Sequence, residues 1–274
     1  MMKVVLPLLC WLFLTACNQN SKTHQGSNTV GPEASTSAKY VDLSHSFSSE
    51  TVYWVTAEEF HLDSVFKGMT EKGYYYAANN FSAAEHGGTH LDAPIHFSES
   101  GQSTDEIPLD HLIGPAIKID VTAAAADDPD YLISEDDLRS WEVKNGIQIP
   151  QHSIVLLQTG HSKYYPDPKK YLGTAAKGPD AVKDLHFPGL SPEAAIWLIQ
   201  NRNVKAVGID TPSIDYGQSE YFKTHVILLG ANIPVFENLT RLEDIPDTNF
   251  EVFALPMKIK GGSGGPLRII ALIK

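Results

Sequence analysis

The stretch His86-Gly87-Gly88-Thr89-His90-Leu91-Asp92-Ala93-Pro94-Ile95-His96 places three histidines and one carboxylate within eleven residues. Imidazole nitrogen and carboxylate oxygen are ligands for zinc and other first-row divalent metals, so the segment predicts a metal centre. Its two glycines and its proline argue against a continuous helix and favour a turn that runs into a short strand. His90 and Asp92 would then share one face of the strand, and the glycines would let His86 reach the same metal.

A His-x-x-x-His pair alone is more often an accident of surface composition than a metal site. The addition of Asp92 and His96, in a segment shaped by glycine and proline, favours the metal site over that reading. The pair is not the zinc-binding helix of a His-Glu-x-x-His protease, because Gly87 stands where that motif has its glutamate.

The same segment resembles the His-x-Gly-Thr-His-x-Asp-x-Pro-x-His signature of the metal-dependent cyclase family, which includes bacterial kynurenine formamidases and isatin hydrolases. All seven specified positions are present. The resemblance extends from about Tyr40 to the C-terminus. It implies an α/β fold, as a single domain of the swivelling β/β/α type, and a homodimer.

A second segment, from His225 to Leu239, resembles the other metal-binding part of that family. A histidine alone in a predicted helix is more often a packed residue than a ligand, but His225 stands at the family's spacing from Glu237. The family pattern implies two divalent ions per subunit, zinc or manganese. It assigns the ligands as follows: His86 and His90 on one metal, His225 on the second, and Asp92 and Glu237 across both.

The resemblance also implies how the chemistry would proceed. A metal-bound hydroxide would attack the substrate carbonyl, because metal coordination lowers the pKa of water steeply. His96 is assigned acid/base work, since imidazole titrates near neutrality and can take and return a proton. Trp54 matches a tryptophan that contacts the aromatic substrate in the family. Val55-Thr56 replaces the Pro-Gly that often follows it, and simple core packing is the alternative for Trp54.

The expected function is hydrolysis of an amide, formamide or lactam carbonyl on a small aromatic compound. N-formylkynurenine is the leading substrate, and isatin or another cyclic amide or lactone is the alternative. The enzyme would therefore act on C–N bonds other than peptide bonds. Gly261-Gly262-Ser263-Gly264-Gly265 matches Gly-x-Ser-x-Gly by letter, but a predicted strand follows it and not the helix that a serine-hydrolase elbow requires. A non-catalytic lipoprotein that binds a metal or ligand is the second class of function.

The rest of the pattern alternates strands with capped helices, which is typical of an α/β domain. Predicted strands are 40–44, 51–55, 116–121, 153–159, 204–210, 233–236 and 268–273, and predicted helices are 134–144, 191–202 and 219–229. The segment 161–189 is rich in proline and glycine and predicts a lid or a partly mobile connection. Ser213 and Asp215 follow a predicted strand where α/β proteins build sites, although turn formation explains them equally well.

The amino-acid composition limits the kinds of partner that the protein can bind. The chain has 274 residues with 42% apolar and 20% charged residues, as expected of a globular protein. Its net charge of −12, without a basic patch interleaved with aromatic residues, disfavours a nucleic-acid partner.

The N-terminus reads as a targeting segment. Lys3 precedes an apolar run, 4–14, that is too short to span a membrane comfortably. The run ends in Leu14-Thr15-Ala16-Cys17, which resembles the bacterial lipoprotein box. Residues 1–16 would be the signal peptide, Cys17 the lipidated residue, and 17–39 a polar, flexible tether. The catalytic domain, 40–274, would then face the periplasm of a bacterial envelope, and Asn18 is compatible with the outer membrane. A plain secretory signal is the alternative.

We expect Cys17→Ser to move the protein from the membrane fraction to the soluble fraction, because the thiol that carries the lipid is lost. Immunoblotting of separated membrane and soluble fractions measures the change, with Cys10→Ser as the control that should leave the distribution unchanged. A Cys17→Ser protein that stays in the membrane fraction would contradict the lipid anchor.

Overall fold

The computed structural model describes residues 38–274. The predicted signal peptide, Cys17 and nearly all of the predicted tether lie outside the described residues. The strands are β1 (Lys39–Asp42), β2 (His61–Met69), β3 (Tyr75–Ser82), β4 (His90–Asp92), β5 (Ile113–Asp120), β6 (Leu132–Ile133), β7 (Ile154–Gln158), β8 (Gly189–Leu190), β9 (Ala206–Ile209), β10 (Val235–Glu237), β11 (Phe250–Pro256) and β12 (Gly264–Ile273). The helices are α1 (Leu109–Leu112), α2 (Thr122–Ala125), α3 (Glu135–Asn145), α4 (Pro168–Tyr171), α5 (Pro192–Trp197) and α6 (Lys223–Gly230).

The main sheet closes on itself. Its strand order is β1-β12-β11-β5-β7-β9-β10-β4, and β4 also pairs with β12. Within residues 38–274, seven strands therefore form a mixed barrel, with β1 added alongside β12. Strands β5, β7, β9 and β10 run parallel, whereas β4, β11 and β12 join the barrel by antiparallel pairing. The short strand β4 completes the closure. It carries His90 and Asp92, which belong to the candidate metal-binding stretch 86–96, called here the metal-type segment.

Strand β7 shows why these residues form a buried parallel strand. All five residues are buried, and their side chains alternate between two apolar clusters. Ile154 and Leu156 pack in the cluster that also holds Phe236 of β10, whereas Val155 and Leu157 pack in the cluster beneath the helices. A strand covered on both faces needs an almost continuous apolar run, and this run is what the sequence provides.

Capping residues and left-handed residues determine where the helices begin and end. Ser134 caps α3 and forms a capping box with Asp137, which confirms the predicted start at Ser134. Ser191 caps α5, which continues as a π-helical turn (Leu198–Arg202) and stops at Asn203 in the left-handed conformation. Helix α6 begins at Lys223 rather than at 219. The reason is Phe222, whose φ of 47° is incompatible with an uninterrupted helix.

The predicted strand 51–55 is wrong in extent. Only Tyr53 makes a β-bridge there, with Gly87, and Gly88 N donates to Val52 O over 2.9 Å. Residues 51–55 therefore pair with the turn at Gly87 and Gly88 and not with the barrel. Because of this pairing, Trp54 is held beside the turn. Gly88 has a φ of 55°, so glycine supplies the fold-back that the sequence suggested.

Strands β2 and β3 were not predicted. They form a separate two-stranded hairpin, and nearly all of its residues are exposed. Phe81 stacks on Phe60, which in turn contacts Phe47, so aromatic residues join the base of the hairpin to the body.

Together these elements confirm a single mixed α/β domain within the described residues. The finer expectation of a swivelling β/β/α arrangement stays a prediction. Among residues 38–274, no helix has the length and apolar character needed to cross a membrane.

The closure of the barrel leaves no room for a side chain at Gly264. A Cβ there would lie 2.5 Å from His86 Cε1 and 2.6 Å from Leu91 O. We expect Gly264→Ala to lower the free energy of unfolding by about 1–3 kcal/mol, the usual cost of overpacking. Urea denaturation measures this, with Gly230→Ala as the control.

A Cβ at Gly230 would meet no atom within 4 Å. That variant should stay within about 0.5 kcal/mol of the wild type or gain slightly in stability, as exposed substitutions usually do. Equal stability of the two variants would contradict the close packing of β12 on the metal-type segment.

Candidate metal centre

Strand β4 is held between two partners that bring distant residues to it. His90 lies opposite Glu237 of β10, and Asp92 lies opposite Val235 on the same strand. On its other edge β4 pairs with the first residues of β12. The barrel register therefore places the carboxylate of Glu237 beside the first metal-type segment, although the two are far apart in sequence.

Asp92 is the centre of the cluster. Its Oδ1 lies 2.6 Å from His86 Nδ1 and 3.2 Å from His90 Nε2, and its Oδ2 lies 3.1 Å from His225 Nε2. One buried carboxylate thus faces three imidazoles at once.

Glu237 is the second buried carboxylate. Its Oε1 lies 3.2 Å from His225 Nε2, and its Oε2 lies 3.5 Å from His90 Nε2. The backbone N–H of Ile214 donates to Oε1 over 2.7 Å and fixes the orientation of the carboxylate. The structure therefore brings together all five residues that the sequence assigned as ligands.

The donor atoms form two groups that share Asp92. In each group three donors lie within 4.8 Å of one another: His86, Asp92 and His96 in one, and His90, Asp92 and Glu237 in the other. Two carboxylates and several imidazoles, most of them buried, fit one or two divalent cations. Without a cation, burying two neighbouring carboxylates would cost several kcal/mol.

The protonation behaviour of the cluster reflects its own charges. Burial alone would lower the pKa of His90, but the charge and hydrogen bond of Asp92, with the charge of Glu237, raise it to about 9. Burial would raise the pKa of Asp92, whereas the surrounding histidines hold it well below its usual value. Burial and the charge of Asp92 raise the pKa of Glu237. The two carboxylates thus favour a positive charge in the site, either a proton or a bound metal ion.

Two of the candidate ligand histidines are oriented through their Nδ1 atoms. His90 Nδ1 donates to Gly88 O over 2.9 Å, and His225 Nδ1 donates to Asp215 Oδ2 over 2.7 Å. Asp215 also accepts the backbone N–H of His225. Each contact leaves Nε2 free to face the carboxylates. The sequence left Asp215 between a pocket residue and a turn residue, and the structure shows that it contacts His225, a candidate ligand.

His96 lies at the edge of the cluster and is exposed on one side. Its ring stacks on His86 with centroids 3.8 Å apart. Burial of the ring lowers the pKa of His96 below its usual value. The charge of Asp92 opposes this shift, and the nearby histidines add to it. A neutral imidazole at this point can accept a proton. It lies close enough to Asp92 to be a ligand as well.

A cavity of about 310 Å³ opens above these residues, with apolar walls. Trp54 lines it and meets Phe187 and Phe222 edge to face, at centroid distances of 6.3 and 6.2 Å. Phe97 stacks on His225 at 4.7 Å. The aromatic walls around a polar floor can hold a flat apolar compound with its polar group on the metal-type residues. The long segment 161–189 adds Phe187 behind Trp54 and otherwise packs through short helical turns.

Comparison with known proteins identifies the family of this chain. The sequence model of a family described as "Putative cyclase" matches residues 41–216. The chain belongs to this cyclase family. It is 31% identical over 230 residues to a kynurenine formamidase of Salinibacter ruber, covering 84% of this chain and 95% of that protein.

Two solved structures of the family's fold are similar. An isatin hydrolase A from Ralstonia solanacearum has 32% identity and a TM-score of 0.78, covering 86% of this chain and 92% of that one. An isatin hydrolase bound to the product analogue thioisatinate has 26% identity and a TM-score of 0.78, with the same coverage.

Because His90 faces both carboxylates, we expect His90→Ala to weaken zinc binding by more than the 10–100-fold typical when a residue that only orients a ligand is removed. Chelator competition measures the affinity. The control is His152→Ala, an exposed residue whose ring contacts Asn203. Unchanged zinc affinity in His90→Ala would contradict the metal centre.

Proposed function

We propose that this protein is a metal-dependent hydrolase of an amide, formamide or lactam carbonyl on a small aromatic compound. One observation carries the proposal. Two buried carboxylates, Asp92 and Glu237, converge with three histidines on the floor of a cavity with aromatic walls. This combination suits a polar reacting group attached to a flat apolar body.

The proposed ions are zinc or manganese, two per subunit, held by His86, His90, Asp92, His225 and Glu237. When bound, such ions polarise a carbonyl oxygen and lower the pKa of water. The donor set contains imidazoles and carboxylates without thiolate, which suits either metal.

The protein's own side chains supply the rest. Trp54, Phe97 and Phe222 would hold the aromatic ring and keep bulk water from it. His96, neutral at the pocket edge, would take a proton from the attacking water and return it to the departing nitrogen. Glu237 is oriented by the Ile214 N–H, so it does not need to reorganise during the reaction.

The names of the relatives support several candidate substrates but do not select one of them. One is named a kynurenine formamidase and two structures are named isatin hydrolases, at about 30% identity. N-formylkynurenine is our first candidate and isatin the second, followed by other cyclic amides or lactones. Both leading candidates have an aromatic ring and a C–N bond at a carbonyl, which matches the cavity.

The metal-loaded protein should hydrolyse at least one member of a panel of N-formylkynurenine, isatin and aryl lactones. We expect His96→Ala to keep most of its metal and to lose about 10²–10⁴-fold in kcat/KM, the usual size of acid/base assistance. Metal content by mass spectrometry and initial rates measure the two quantities separately.

His90→Ala is the matched comparison, because it should lose metal and activity together. Loss of metal in His96→Ala would instead make His96 a ligand. Full activity in metal-replete His96→Ala would remove it from the reaction. A metal-loaded wild type that binds these compounds without turnover would favour the binding lipoprotein over the enzyme.

We also propose that the protein forms a homodimer through the β2–β3 hairpin. Eight large apolar residues of this hairpin are 41–65% exposed: Leu62, Val65, Phe66, Met69, Tyr74, Tyr75, Tyr76 and Phe81. An isolated two-stranded hairpin is marginally stable in water, so its faces need a cover. The hairpin spans residues 61–82, about the 20–30 residues a side of a standard interface. Its two acidic and two basic residues cancel, so a second copy of this acidic chain would not be repelled there.

We expect the double variant Met69→Lys/Tyr75→Lys to shift the protein from dimer to monomer, measured by light scattering after size-exclusion chromatography. The control is Val143→Lys, since Val143 is 83% exposed on α3 and should not affect assembly. A wild type that is monomeric, or a double variant that stays dimeric, would contradict this interface.

The proposed localisation depends on Cys17. A lipid on this residue would tether the domain to the bacterial envelope on its periplasmic side. The Leu14-Thr15-Ala16-Cys17 box and the apolar run before it support this arrangement. The substrate would then be met outside the cytoplasm.

A further inference from the structure

His86 faces the cluster differently from the other two ligand histidines. His90 and His225 turn Nε2 to the carboxylates and bond elsewhere through Nδ1. His86 instead turns Nδ1 to Asp92 and places Nε2 2.9 Å from Ser263 Oγ. Its orientation therefore depends on a serine in the glycine-rich turn before β12.

Ser263 is itself fixed by Glu85. Its Oγ lies 2.7 Å from Glu85 Oε2, and its backbone N–H donates to the same oxygen over 3.0 Å. An ionised carboxylate only accepts hydrogen bonds, so the single hydroxyl proton of Ser263 goes to Glu85. The serine oxygen is then an acceptor for His86, so a neutral imidazole there carries its proton on Nε2.

This assignment determines what His86 presents to the centre. With its proton on Nε2, His86 Nδ1 carries a lone pair, and it stands 2.6 Å from Asp92 Oδ1. Two acceptors at that distance repel each other unless a cation lies against both. The Glu85–Ser263 pair therefore stabilises the tautomer that binds a metal ion and disfavours the one that would simply donate to Asp92.

The backbone around this pair is built for close approach. Ala93 N donates to Ser263 O over 2.8 Å, which ties the turn to the metal segment. A Cβ at Gly262 would lie 2.8 Å from Glu85 Oε1, so a side chain there would displace the carboxylate. The glycines of the turn thus let the serine reach between Glu85 and His86.

We propose that Glu85 and Ser263 are a positioning pair that fixes the Nδ1-ligand tautomer of His86 and so sets metal affinity on that side of the centre. Asp215 does the corresponding work for His225 on the other side. The proposal rests on the metal centre of the proposed function. It adds two residues, 178 positions apart in sequence, that would act on a bound metal only through His86.

The test compares zinc binding by the wild type, Ser263→Ala and Ser263→Thr, using chelator competition on the full mature chain. In Ser263→Ala we expect at least one zinc dissociation constant to rise about 10–100-fold, the usual effect of removing a partner that orients a ligand. Ser263→Thr keeps the hydroxyl and should stay within about 3-fold of the wild type. Asp215→Asn should raise a zinc dissociation constant in the same way. In the Ser263→Ala/Asp215→Asn double variant each fold-change should keep its size, one on each ion's dissociation constant, since the two substitutions act on different histidines.

A second readout distinguishes positioning from a general structural effect. Nitrogen-15 NMR of the histidine rings in the zinc-loaded wild type should show His86 protonated at Nε2 and metal-bound at Nδ1, opposite to His90 and His225. Ser263→Ala should weaken or lose this signature for His86 alone.

The outcomes separate the two proposals. A wild type that binds neither zinc nor manganese overturns the metal centre, and the positioning pair with it. A wild type that binds zinc, together with a Ser263→Ala protein of unchanged affinity or unchanged His86 signals, overturns the positioning pair alone.

Discussion

Two carboxylates buried side by side impose the constraint on which the rest of this structure depends. Asp92 and Glu237 are almost inaccessible to water, and both lie within 3.5 Å of His90. Like charges that share a dry site are strongly unfavourable unless positive charge is held between them. The three histidines facing these carboxylates, and the cations that such a donor set fits, offset that cost. The fold around them has to keep every donor in place.

The barrel provides that rigidity through its smallest strand. β4 has only three residues, yet it pairs on one edge with β10 and on the other with β12. The first pairing delivers Glu237, and the second delivers the turn that carries Ser263. Because the closure strand is also the ligand strand, a slip of one residue in its register would turn His90 and Asp92 away from their partners. Fold and site are therefore determined by the same backbone hydrogen bonds.

How much of this can be read from the sequence depends on whether the signal is local. The turn and strand at 86–92 follow from glycine, proline and the spacing of two residues, and the capped helix starts at Ser134 and Ser191 follow from side-chain chemistry. His225 and Glu237 became candidates only through resemblance to a family, because nothing in their own neighbourhood marks them as ligands.

Other features depend on contacts that no local pattern encodes. The function of Asp215 depends on which histidine lies against it, and Ser263 stands in a turn where glycine dominates the pattern. The β2–β3 hairpin has no regular alternation of apolar and polar residues, since neither of its faces is buried and a register shift falls between Ser64 and Phe66. The later start of α6 arises from the left-handed Phe222, whose ring lies near Trp54 and His225. Tertiary packing, not helix propensity, decides that boundary.

The position of Phe222 bears on what the cavity selects. A bulky residue with positive φ is uncommon and costs about 1–3 kcal/mol, so the surrounding structure must hold it in place. Its ring lies 5.5 Å from Phe97, which in turn stacks on His225. The aromatic residues therefore shield one metal-type histidine from water while leaving the edge with His96 open. In the proposed reaction, a flat substrate that enters along Trp54 would place its carbonyl at Asp92 and Glu237 and its leaving nitrogen at the neutral imidazole of His96. The site is thus dry on one side and accessible on the other, as the proposed hydrolysis of a polar bond on an apolar ring would require.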